Sequence, residues 1–205
     1  MAKKYELFDK AFSGENIRGK TITIVGLEGP GIIIAEAAVR SGLNVRLLDR
    51  GRVYENEMHS QTLYLHEDIN KFKAKQAKKR LEQINQEVKV KAFHEELTQN
   101  TIYLLDSDLV VDCTNTAKVS QLISKYCLEQ EMPVIYAGVE GTKGIILTQA
   151  DKAPKLIDYK VDEKGINASS SLIISGATMG LVFNLLRGKK VPSKLTIDSE
   201  EISLK

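Results

Sequence analysis

Short runs of apolar residues alternate with amphipathic stretches along most of the chain, and this alternation predicts its secondary structure. Five segments rich in β-branched and apolar residues predict buried strands, at residues 20–25, 44–48, 88–93, 109–112 and 133–137. Apolar residues at helical spacing predict helices at residues 5–12, 32–41, 67–86, 118–131 and 171–187. Strands that alternate with helices indicate an α/β fold with a Rossmann-like, doubly wound, mostly parallel sheet.

The C-terminal third departs from this alternation. Residues 144–149 follow a strand closely and predict an antiparallel turn of the sheet, and residues 194–205 predict a last strand. Residues 150–170 contain Pro, Gly, Asp and Lys without periodicity and predict a crossing loop. With residues 1–19 as an N-terminal helical extension, we expect a single domain over residues 1–205.

Composition narrows the class of protein. Hydrophobic residues make up 42% of the 205 residues and charged residues 27%, while the net charge of +2 gives no reason to expect nucleic acid as a partner. The longest apolar stretch, 171–186, is interrupted by polar residues, so we expect no membrane span. Two cysteines and no signal peptide favour the cytoplasm. No CxxC pair occurs and the histidines lack metal-ligand spacing, so no structural zinc is expected.

A glycine-rich turn stands between the first predicted strand and its helix. Gly26, Gly29 and Gly31 would let the backbone approach a phosphate, and the helix N-terminus supplies N–H donors with positive potential. Asp49 ends the next strand 23 residues after Gly26, where a carboxylate binds the ribose in dinucleotide folds. This arrangement predicts a nucleotide site.

A purely structural role for the turn is the alternative. Gly26 and Gly31 would then serve only a tight turn and close packing of helix on strand. Glu28 favours this alternative because its carboxylate would repel a pyrophosphate, and Pro30 has no N–H to offer a phosphate.

The segment after Asp49 resembles the ThiF/MoeB/HesA family, which adenylates the C-terminus of ubiquitin-like proteins. There the segment has the form D-x-D-x-V-x-x-S-N-L-x-R-Q, with a lysine 12 residues after the glutamine. Gln61 and Lys73 have that spacing, and Asp112-Cys113-Thr114-Asn115 resembles the family's D-C-T-D. The likeness covers residues 20–149, and its shortest counterparts are the members associated with thiamin biosynthesis.

The resemblance implies ATP with Mg²⁺, bound over the glycine loop, as the cofactor and activating substrate. It places Asp49 on the ribose and Lys73 on the phosphates, with Arg50 as a further cation. The remaining residues that it places at the nucleotide are Asn56, Gln61, Asp112 and Asn115. It also implies a small ubiquitin-like or sulfur-carrier protein as the partner, and a homodimer.

Several positions depart from the family's pattern. Glu28 stands at the central glycine of the loop, and Gly51 replaces the second aspartate of D-x-D. Glu57 stands at the asparagine position, so that Asn56 takes this role only if the backbone is offset by one residue.

Two further departures concern cations and the metal. Ser60 stands at the arginine position, and the arginine-rich R-Y-x-R-Q entry is absent from residues 1–20. Asn115 replaces the aspartate that helps to hold magnesium, and a neutral amide is a weaker ligand than a carboxylate. The crossing loop also lacks the cysteine with which some relatives form a thioester, and we expect Cys113 and Cys127 to be core residues.

Three functions remain open at this stage. The first is adenylation of the C-terminal glycine of a carrier protein. The second is a catalytically degenerate nucleotide-binding or scaffold subunit that supports an active homologue. The third is an NAD-dependent oxidoreductase that uses the same loop, against which stands the lack of a Ser-Tyr-Lys or His-Asp arrangement.

Overall fold

The computed structural model describes residues 4–11, 17–149 and 165–201. The strands are β1 (Thr21–Val25), β2 (Asn44–Leu48), β3 (Val90–Phe93), β4 (Leu109–Asp112), β5 (Val134–Glu140), β6 (Lys143–Gln149) and β7 (Lys194–Asp198). The helices are α1 (Glu6–Ala11), α2 (Pro30–Arg40), α3 (Lys73–Ile84), α4 (Ala117–Glu129) and α5 (Ala168–Leu186). Short 3₁₀ helices occur at Glu55–Glu57, His66–Asp68 and Ile102–Leu105.

The strands form one sheet in the order β3-β2-β1-β4-β5-β6-β7. The five strands from β3 to β5 are parallel, and β6 and β7 add to them antiparallel, which confirms the predicted sheet. The chain moves from β1 to β2 on one side and returns to β4 on the other. The order therefore reverses between β1 and β4, where ligands bind in open α/β sheets, at the carboxyl ends of the strands.

The helices cover both faces of the sheet, as a doubly wound fold requires. On one face, α2 lies between α3 and α5, and the large core there includes Ile24, Ala38 and Val182, each fully buried. On the other face, α4 packs with the 3₁₀ helix Ile102–Leu105 over Val110 and Ile123. The two cores explain why β1 and β4, which lie between them, contain almost no polar residues.

The predicted helix 67–86 is wrong in its first part. Residues 66–68 form a 3₁₀ helix, a turn follows, and α3 begins only at Lys73. The buried Asp68 carboxylate accepts the Leu65 N–H at 3.0 Å and contacts Arg80 at 3.0 Å, which holds the segment in a separate turn. The predicted crossing loop 150–170 falls largely outside the described residues, and its last three residues belong to α5.

α5 corrects the expectation that no helix is long and apolar enough to cross a membrane. By length and composition it qualifies, with a mean hydropathy of 1.5 over an 18-residue window. In this fold it packs against α2, β5 and β6, and 44% of that window is buried. Ile174 and Val182 contact the main core, which confirms the prediction that α5 is a core helix.

Candidate functional site

A cavity of about 700 Å³ opens at the carboxyl ends of β1, β2 and β4, where the strand order reverses. Small-molecule sites have volumes of roughly 300–1,000 Å³, so a nucleotide is of suitable size. The walls come from the glycine loop, the segment after β3 and the first two turns of α4. Its charged lining residues are Glu28, Asp49, Arg50, Glu95, Glu96, Lys118 and Lys125.

The glycine turn is built for close packing. A Cβ atom on Gly31 would lie 2.0 Å from the Gly26 carbonyl oxygen, and one on Gly26 would lie 2.8 Å from the Cys113 carbonyl oxygen. Gly26 and Gly29 also have positive φ values of 86° and 43°. Pro30 occupies the first turn of α2, where a missing N–H leaves no helical hydrogen bond unmade. The packing role considered from sequence is therefore present, whether or not the turn also binds a phosphate.

Asp49 joins the end of β2 to the glycine loop. Its Oδ2 accepts the Leu27 N–H at 2.7 Å, and its Oδ1 accepts the Gly51 N–H at 2.6 Å. The carboxylate thus fixes the backbone on both sides of the cavity rim while it lines the cavity itself. The structure places this predicted ribose-binding residue beside the glycine loop, as the spacing indicates.

Lys73 is fully buried at the first turn of α3, and two carboxylates neutralise it. Its Nζ lies 2.5 Å from Glu28 Oε1 and 2.8 Å from Glu57 Oε2. Gln61 extends this group by donating from Nε2 to Glu57 Oε2 at 2.8 Å. We call these four residues, Glu28, Glu57, Gln61 and Lys73, the Lys73 cluster. The alternative of a solvated surface lysine is wrong, because this ammonium is enclosed and paired.

The electrostatics of the Lys73 cluster are dominated by carboxylates. Burial by itself lowers the pKa of the Lys73 ammonium, but Glu28 and Glu57 outweigh it and hold the pKa above its ordinary value. Tyr64 reports the same field, since burial and then the charges of Asp49, Glu28 and Glu57 raise its pKa well above the ordinary value. Three carboxylates against one ammonium leave two formal negative charges around this point.

Gln61 and Asn56 have different outcomes. Gln61 is buried in the Lys73 cluster, and its Oε1 finds no hydrogen-bond donor among the described residues. Asn56 is exposed, and Glu57 rather than Asn56 contacts Lys73. The His59 ring lies 2.9 Å from the Asn56 carbonyl oxygen and 2.6 Å from that of Ile166, which ties this segment to the start of α5. A role for Asn56 at a nucleotide stays a prediction.

Arg50 lines the cavity but is already paired. Its Nη1 lies 2.8 Å from Glu96 Oε2, and both side chains are more than half exposed. An exposed pair of this kind contributes little to stability, so the guanidinium is able to leave Glu96 for an anionic ligand.

Asp112 and Asn115 lie at the end of β4, on the β5 side of the reversal point. Asp112 is buried, and its Oδ1 accepts both the N–H and the hydroxyl of Thr114, at 2.9 and 2.8 Å. Burial raises the pKa of the Asp112 carboxyl. Asn115 has a φ of 49°, and its Oδ1 accepts the Tyr136 hydroxyl at 2.8 Å. Neither side chain reaches Lys73 directly.

Both cysteines are buried free thiols, which confirms that they are core residues. Burial, and next the charge of Asp112, raises the pKa of Cys127 to about 12, and the same causes raise the pKa of Cys113 further. Among the described residues, no group of three or more His, Cys, Asp or Glu side chains could hold a metal ion.

Sequence analysis did not identify the far wall of the cavity. Lys118, Gln121, Leu122 and Lys125 lie on one face of α4 and point a helical stripe toward the glycine loop. The signal was their spacing at i, i+3, i+4 and i+7 in the helix after β4. Because that helix covers the opposite face from α2, the reversal of strand order turns this stripe toward the cavity.

Comparison with known proteins assigns the family. The family model described as the ThiF family matches residues 4–182, so the chain belongs to the ThiF family. A sulfur carrier protein adenylyltransferase of Thermus thermophilus is 29% identical over 128 residues, which cover 61% of this chain and 47% of that protein. The chain thus aligns with about half the length of that relative.

Other matches show how varied the relatives are. A tRNA threonylcarbamoyladenosine dehydratase of Bacillus subtilis is 26% identical over 174 residues, covering 78% of this chain and 68% of that protein. The crystal structure of Escherichia coli MccB with AMPCPP and MccA has a TM-score of 0.85 at 17% identity, covering 98% of this chain and 70% of that chain. This likeness confirms the Rossmann-type fold.

Proposed function

We propose that this protein activates the C-terminal carboxylate of a small ubiquitin-like or sulfur-carrier protein by ATP-dependent adenylation. The observation that carries the proposal is the cavity at the reversal point of the sheet, with the glycine loop and Asp49 at its rim. Membership of the ThiF family and the names of its adenylyltransferase relatives support the same chemistry. The cytoplasm stays the expected location.

In the proposed reaction, a carboxylate oxygen of the carrier forms a bond to the α-phosphorus of ATP. The bond from that phosphorus to the bridging oxygen breaks, and pyrophosphate leaves with the oxygen. Negative charge shifts toward the pyrophosphate in the transition state, so nearby cations lower the barrier. Lys73 is the candidate for this role, with Arg50 at the cavity wall, while Asp49 accepts hydrogen bonds from the ribose hydroxyls.

A magnesium ion that accompanies ATP would find hard oxygen donors at the end of β4. Asp112 offers a carboxylate and Asn115 an amide oxygen, which are ligand types that Mg²⁺ accepts. When bound, the ion would neutralise phosphate charge. Asn115 is already held by the Tyr136 hydroxyl, so this chain positions the amide oxygen through β5.

ATP–pyrophosphate exchange, measured with a carrier protein that ends in Gly-Gly, tests this proposal. We expect exchange with the unaltered chain and a loss of roughly a hundredfold or more in Lys73→Gln and in Asp49→Asn, because each removes a charge at the nucleotide. Lys79→Gln is the matched control, since this lysine of α3 is exposed. Thermal melting shows whether each variant is folded. Unchanged exchange in Lys73→Gln would contradict the assigned site.

The Lys73 cluster also favours a second candidate, a degenerate subunit that binds an active homologue. Its cation is neutralised by Glu28 and Glu57, positions that depart from the family's pattern. This candidate predicts no exchange with any carrier protein, together with a stable complex between the nucleotide-free chain and an active ThiF-family subunit. Exchange by the isolated chain would eliminate it.

A further inference from the structure

The ammonium of Lys73 already has the anionic partners that a phosphate would provide. It is fully buried, and its two ion pairs to Glu28 and Glu57 use two of its three N–H donors. A phosphate oxygen of a bound nucleotide would need the same donors. Binding of a triphosphate at Lys73 therefore requires one of these carboxylates to leave.

Glu28 is the partner that is free to leave. Its side chain is 53% exposed on the glycine loop and has open solvent beside it. Glu57 is 26% exposed, sits in a 3₁₀ helix and is also held by Gln61 at 2.8 Å. When Glu28 rotates outward, Glu57 stays behind as the counter-ion, so the buried ammonium is never left unpaired.

We propose that Glu28 is a built-in competitor for the triphosphate: its carboxylate occupies the phosphate position at Lys73 and must be displaced when a nucleoside triphosphate binds. This inference rests on the proposed function in so far as the cavity takes a nucleotide. Glu28 then sets specificity, because it weakens the binding of polyphosphates and leaves the binding of an uncharged nucleoside unaffected. The carboxylates of Glu57 and Asp49 add to the repulsion that an incoming polyphosphate meets.

Calorimetric titration of the full chain with ATP, adenosine and inorganic tripolyphosphate tests this inference. Glu28→Gln keeps the shape of the side chain and removes its charge, and Glu28→Gly is a second variant that restores the family's residue. We expect both variants to bind ATP and tripolyphosphate roughly tenfold or more tightly than the unaltered chain, since a charge-assisted contact no longer has to be broken. The affinity for adenosine should change by less than about twofold.

Glu82→Gln is the matched control, because it removes one negative charge from the exposed side of α3 without touching Lys73. It should leave all three affinities as they are. Equal affinities of the unaltered chain and both Glu28 variants for ATP and tripolyphosphate would overturn the inference, and the proposed function would stand if exchange is observed. Tighter tripolyphosphate binding by the Glu28 variants, without ATP binding or exchange, supports the inference and contradicts the proposed function. An absence of binding by every variant overturns both.

Discussion

A charged side chain acquires its function from its partners rather than from its type. Lys73 lies among Lys71, Lys75, Lys78 and Lys79 in the sequence, yet it alone of these five is fully buried. Its spacing from Gln61 predicts a site lysine, and both side chains do meet in the Lys73 cluster. The spacing does not predict that Glu28 would be the contact, since those residues are 45 positions apart.

The cysteines give a prediction at the residue scale. A thiol reacts as the thiolate, and burial raises the pKa of Cys127 to about 12 and that of Cys113 further. At about pH 8, well below these values, both groups stay protonated, and the thiolate fraction rises only as the pH approaches them. We therefore expect DTNB to label neither cysteine in the native chain.

Addition of denaturant is the control for this measurement, and both thiols should then react. Rapid labelling of Cys113 in the native protein would contradict its burial. It would also reopen the possibility of a thioester intermediate on this strand.

At the scale of elements, the junction of β1 and α2 depends on backbone contact. The Gly31 position lies so close to the Gly26 carbonyl oxygen that any side chain would push the helix from the strand. A glycine pattern predicts such a turn, as it did here. It does not distinguish a turn that only packs from one that also binds, because both need the same missing Cβ.

Gly31→Ala tests this junction. The added Cβ would lie 2.0 Å from a backbone oxygen that has no side-chain freedom to move, so α2 must shift. We expect the free energy of unfolding, measured by urea titration, to fall by about 1–3 kcal/mol.

Gly176→Ala in α5 is the matched control, because its Cβ would meet nothing within 4 Å. There the better helix propensity of alanine should raise the free energy of unfolding by up to about 1 kcal/mol. If both variants behaved alike, the close approach at Gly31 would not be what determines the junction.

At the scale of the whole molecule, the sheet has two open ends. β3 and β7 each pair on one side only in the described part of the chain, and unpaired edges favour association. α5 adds an apolar surface, with Leu172 half exposed and Gly176 and Gly180 uncovered on the same side. We predict the homodimer that the family resemblance implies.

Light scattering on the eluting protein checks this prediction. The expected mass is about twice the 22.8 kDa of one chain, and dilution should shift it toward one chain. A mass of one chain at every concentration would contradict a homodimer.

The sequence by itself determined the order of strands and helices, the parallel and antiparallel halves of the sheet, and the glycine loop with Asp49 beside it. These depend on local periodicity and on short spacings, which the chain carries directly. It also identified the family through Gln61, Lys73 and the segment at Asp112. The boundary of α3 was wrong because the buried contact of Asp68 with Arg80 overrides helix propensity there.

Only the tertiary structure decided the charge state of the site. Glu28 comes from the loop after β1, Glu57 from a 3₁₀ helix after β2, and Lys73 from α3, and the fold encloses them together. Ion pairing falls off within a few ångströms, so it depends on distances in space that no sequence interval encodes. The same holds for the α4 stripe of Lys118 and Lys125, which faces the cavity because the strand order reverses between β1 and β4.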